Sequence, residues 1–65
     1  MNNKSNVTKA MLVLTILIEK DDKVGFIDYL NDNNTKINNQ IVGDSFLTNK
    51  MNTILFKALD TFVKP

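Results

Sequence analysis

The chain contains no cysteine, no histidine and no arginine, and it has one proline and two glycines in 65 residues. Each absence closes a route. Without cysteine there is no disulfide staple and no thiolate for metal binding or nucleophilic attack. Without histidine the commonest general base and metal ligand is missing. Without arginine the chain lacks the side chain that most often reads guanine edges. The two serines, Ser5 and Ser45, fall where helix caps belong, not beside a base. Catalysis is therefore not expected.

Excess charge is also scarce. Eight lysines oppose six aspartates and one glutamate, for a net charge of +1. That balance supplies no strong drive toward nucleic acid. The charge is unevenly spread: +2 over residues 1–20, −3 over 21–34 and +2 over 35–65. A long hydrophobic run is missing too. Ala10–Ile18 is apolar on all sides but only nine residues long, and Glu19-Lys20-Asp21-Asp22-Lys23 ends it. A membrane span needs roughly 20 apolar residues. A secretion signal fits the preceding Lys4 and Lys9, but no small-residue cleavage pattern follows. The expectation is a cytoplasmic protein without a membrane partner.

Asparagine is abundant, with ten residues, and lysine occurs without arginine. Codons rich in A and T give this usage, which points to a low-GC bacterium or its phage. No calcium loop emerges from the oxygen-rich centre. After Asp32-Asn33-Asn34-Thr35, Lys36 stands where a ligand belongs and Ile37 where glycine belongs. Lys20 beside Asp21 and Asp22 reads as a solvated charge run. No cofactor is expected.

The pattern along the chain is helical. Residues 1–4 read as a tail, and Ser5 or Asn6 as the cap of a helix to about Lys20. On its wheel Val7, Ala10, Met11, Val13, Leu14, Leu17 and Ile18 form a core stripe. Leu12 and Ile16 fall outside it. Asp22 caps a second helix over Lys23–Asn31, in which Gly25 is unfavourable by about 1 kcal/mol relative to alanine. Asn31-Asp32-Asn33-Asn34 has the composition of a turn. Thr35 then caps a short helix carrying Ile37 and Ile41 and ending at Gly43. A hairpin pairing residues 23–30 with 35–42 is the rival. Asp44 or Ser45 caps a last helix to about Val63, with Leu47, Met51, Ile54, Leu55, Ala58 and Phe62 as its stripe. The expected fold is a single all-α domain of three or four helices, with the first and last packed together. The alternative is a helix–hairpin–helix arrangement of α+β class.

A chain of this size buries only about 60% of its unfolded surface. Without disulfide or metal, oligomerisation or a larger partner remains as the stabilising device. A homodimer covering Leu12, Ile16, Phe56 and Val63 is expected. A second surface is expected at Phe26 and Tyr29, rimmed by Asp22, Asp28 and Asp32, where another protein binds. The competing reading places both aromatics in a small core. The leading functional expectation is a non-enzymatic regulator or inhibitor, encoded by a phage or mobile element, that binds a host protein. One alternative is a dimeric DNA-binding regulator using Lys50 and Lys57 with Thr53 and Thr61. The other is an immunity or antitoxin-type protein.

Overall fold

The computed structural model describes residues 3–63, and the side chains of 6–63. Three helices make up the fold: α1 (Asn3–Glu19), α2 (Lys23–Ile41) and α3 (Ser45–Phe62). There is no strand among the described residues, so the hairpin alternative does not hold. Helix α1 packs against both others, most extensively against α2. Three-residue connections reverse the chain twice. Phe26, near the start of α2, meets Phe62 at the end of α3, so these two helices run antiparallel.

The first reversal is a Schellman motif. Asp22 donates its N–H to the Leu17 carbonyl at 2.9 Å, and Asp21 to that of Ile18 at 3.0 Å. Both bonds satisfy carbonyls that the end of α1 leaves open. The motif needs a left-handed residue, and Asp21 takes it at φ 57°. Asp22 then caps α2, accepting the Gly25 N–H at 2.9 Å. Here lies the reason for a glycine within a helix. A Cβ on Gly25 would run into the Asp22 carboxylate, meeting Oδ2 and lying 2.8 Å from Cγ. Gly25 gives up helix propensity and makes room for the cap.

The second reversal is a type II turn. Val42 has φ −59° and ψ 128°, Gly43 has φ +79°, and Asp44 donates its N–H to the Ile41 carbonyl at 2.9 Å. Only glycine takes the third position of that turn without strain. Asp44 caps α3 by accepting the Leu47 N–H at 3.1 Å, as its place before the last apolar stripe implies.

Two boundaries differ from the sequence reading. Helix α1 starts at Asn3, so residues 3 and 4 of the expected tail are helical, and Ser5 and Asn6 both lie inside the helix and are not its cap; residues 1 and 2, and the Ser5 side chain, lie outside what is described. The larger difference is α2, which runs unbroken through Asn31–Asn34 and joins two expected helices into one. Its inner face is Phe26, Tyr29, Leu30, Asn33, Ile37 and Ile41. All are buried or half-buried, at helical spacing. Asn33 occupies the place where an apolar residue would have shown the stripe to continue. Its amide turns back to donate to the Tyr29 carbonyl at 2.8 Å, so the helix supplies a partner for its own polar group.

The core holds Val7, Ala10, Met11, Leu14 and Ile18 from α1, Phe26, Ile37 and Ile41 from α2, and Leu47, Met51 and Ala58 from α3. Leu14 is fully enclosed. No polar or charged residue is buried among those described.

Candidate interaction surfaces

Among the described residues, a groove lies between each pair of helices. The one between α1 and α3 measures about 430 Å³. Met11, Leu47 and Ile54 form its apolar floor, and Thr8, Thr15, Thr53 and Lys50 its polar margin. Leu12 and Phe46 stand on opposite walls, 60% and 68% exposed. The Lys50 ammonium lies 5.4 Å from the centre of the Phe46 ring, a cation–π distance. Among these side chains, Thr15 donates to the Met11 carbonyl and Thr53 to that of Asn49.

The groove between α2 and α3 measures about 320 Å³ and is lined almost wholly by carbon. Phe26, Leu55, Ala58 and Phe62 are its floor, with Ile27, Leu59 and Val63 on its walls and Lys23 at one end. Phe26 and Phe62 meet here with ring centres 5.4 Å apart and planes tilted by 57°, a favoured aromatic geometry.

The third groove, between α1 and α2, measures about 260 Å³ and is polar. Asn6 and Lys9 face Tyr29, Asn33, Lys36 and Gln40 across it. Sequence reasoning missed it, because a chain turned at Asn31 cannot line up residues on either side of the turn. The signal was the spacing 29, 33, 36, 40, which is one helix face.

The acidic aromatic contact surface expected over residues 22–32 is not assembled. Phe26 is only 4% exposed and belongs to the core; its burial against Phe62 replaces the expected contact role. Tyr29 is half-buried on the α1 side of α2. The Asp22 carboxylate is taken up by capping. Asp28 and Asp32 are exposed, one helical turn apart on the outer side of α2.

The expected dimer residues are all exposed: Leu12, Ile16, Phe56 and Val63 at 60%, 40%, 71% and 66%. They do not share one face. Leu12 lines the α1–α3 groove and Val63 the α2–α3 groove. Lys50 and Lys57 are both exposed on α3, while Thr61 is half-buried. No group of three or more acidic or other metal-ligating side chains is arranged to hold an ion among the described residues. Nor is any described helix long and apolar enough to cross a membrane. No protein-family model, curated protein or solved structure matches the chain.

Proposed function

We propose that the protein is a small non-enzymatic regulator or inhibitor that acts by binding another protein, through the groove between α1 and α3. The supporting observation is the build of that groove. Leu12 and Phe46 stand exposed over an apolar floor, and threonines and Lys50 edge it. An apolar centre with an aromatic anchor and a polar rim is the anatomy of a separable protein–protein interface. A host protein targeted by a phage or mobile element fits this reading. A co-encoded toxin fits it equally as the partner of an immunity or antitoxin-type protein.

The test is affinity capture from cells of the source organism with the immobilised chain, then titration of the purified partner. Phe46→Ala should weaken binding by at least about 30-fold, as an anchor worth 2 kcal/mol requires. Leu12→Glu should do the same with helicity unchanged. Binding that both variants leave intact removes the groove from the reading. Binding to duplex DNA that collapses between roughly 50 and 200 mM salt, and that Lys50→Ala and Lys57→Ala reduce, favours the DNA-regulator alternative.

A further inference from the structure

We infer that the α2–α3 face is a self-association surface, on which two copies of the chain pack about a two-fold axis. This is a different surface from the α1–α3 groove, and it stands or falls separately from the reading above. Nine large hydrophobic side chains are exposed in the described residues. Five of them lie on α2 and α3: Ile27, Leu59 and Val63, at 45%, 58% and 66%, line the groove between these helices, and Val24 and Phe56, at 70% and 71%, stand one turn before Ile27 and Leu59 on the same helices. Val24 and Ile27 are one turn apart and form a ridge on α2. Phe56, Leu59 and Val63 recur at three- and four-residue steps and form a ridge on α3.

Shape is the first reason for choosing a second copy as the occupant. A two-fold interface must be self-complementary, carrying its own knob and its own hole. This face has both. Phe56 and Leu59 project from α3, and the groove beside them has a small residue, Ala58, in its floor. A two-fold operation lays the α3 ridge of each copy into the groove of the other and joins α2 and α3 of both into a four-helix layer.

Area is the second reason. Five side chains with about 100 Å² apiece still to bury supply roughly 500 Å² of apolar surface. Homodimer interfaces are about 65% apolar, so this corresponds to roughly 800 Å² per subunit. That is the size of a standard stable interface. Polarity is the third reason. The α1–α3 groove carries three threonines and a lysine, whereas this one has Lys23 alone, at its end. Permanent self-interfaces are the more apolar kind.

Sedimentation equilibrium over a dilution series tests the inference, with far-UV circular dichroism on each sample. The wild-type chain should weigh twice its 7.4 kDa. Leu59→Glu and Phe56→Glu, at positions exposed in the single chain, should give a helical monomer, raising the dissociation constant at least about 100-fold. Leu12→Glu, on the other face, should remain dimeric. Should Leu59→Glu lose its helicity, Val63→Lys at the exposed end of α3 supplies the same test. A wild-type chain that stays monomeric at every concentration overturns the inference. So does a dimer dissociated by Leu12→Glu but not by Leu59→Glu.

Discussion

Single residues decide both reversals of this chain, and the backbone angles say which way each substitution moves stability. Asp21 holds the left-handed position that closes α1, although glycine does so without a steric penalty. Its carboxylate also stands at the negative end of the helix dipole. Asp21→Gly should therefore stabilise the domain by about 0.5–1 kcal/mol, less than the full left-handed penalty because glycine also gains freedom in the unfolded chain. Gly43→Ala should do the opposite. Nothing lies within 4 Å of the Cβ it would add, so the cost is the positive φ alone, about 1–2 kcal/mol. Urea denaturation midpoints measure both. The Asp22–Gly25 pair makes a subtler case, because the cap and the glycine are coupled. Asp22→Ala should cost about 1 kcal/mol as a lost cap. Gly25→Ala should gain nearly 1 kcal/mol of helix propensity in the Asp22→Ala background. With Asp22 present the gain should be smaller, because the new methyl displaces the capping carboxylate. Additivity in that double-mutant cycle would show that the contact between them carries no energy.

At the scale of the helix, α2 is held by its ends. Phe26 anchors one end and Ile37 and Ile41 the other. Between them runs a polar stretch whose side chains bond within the helix, as Asn33 does to Tyr29 and Asn38 to Asn34 at 3.3 Å. Asparagine is a mediocre helix former, so the middle of α2 draws its order from packing more than from propensity. Asn33→Leu, which completes the apolar stripe on a half-buried face, should raise stability by about 1 kcal/mol, from propensity and burial together. Amide hydrogen exchange should be faster over residues 31–36 than over 26–30 in the wild-type chain, and the variant should slow it. The same stretch explains what was legible in the sequence. Helix α3 was readable because its stripe from Leu47 to Phe62 is unbroken and Asp44 precedes it as a cap. Asp22 as a cap, Gly43 as a stop and the core side of α1 were readable for like reasons. Helix α2 was not, because four polar residues in a row look the same whether they turn or merely face water. What distinguishes the two is whether Ile37 finds the same core as Phe26, and that is a property of the folded chain. The polar α1–α2 groove was lost with it.

Across the whole molecule, a small core and an apolar surface are two parts of one balance. Exposed apolar residues could be named individually as falling off the core stripes, as Leu12, Ile16, Phe56 and Val63 were. Which of them lie together depends on how α3 is rotated between α1 and α2, and no helical wheel holds that information. Phe26 shows the other side of the same difficulty, since an aromatic on a short amphipathic segment serves core and contact equally well until its neighbours are known. A domain of this length has a stability of roughly 3–10 kcal/mol. Truncating Phe26 to alanine removes about 3–5 kcal/mol, so Phe26→Ala should be largely unfolded at 37 °C by circular dichroism. Were it to fold as the wild type does, its place against Phe62 would be wrong. Self-association adds a dependence that no single-chain variant can imitate. If two copies bury the α2–α3 face only when folded, mass action stabilises the folded state as the chain is concentrated. Each tenfold rise in concentration contributes about 1.4 kcal/mol per dimer, or half that per chain. For a domain of this size that should raise Tm by about 3–6 °C. Leu59→Glu should melt at a temperature independent of concentration, while Leu12→Glu should keep the wild-type slope. Equal slopes for the two variants would place the stabilising contact on some other face, whatever their absolute melting temperatures.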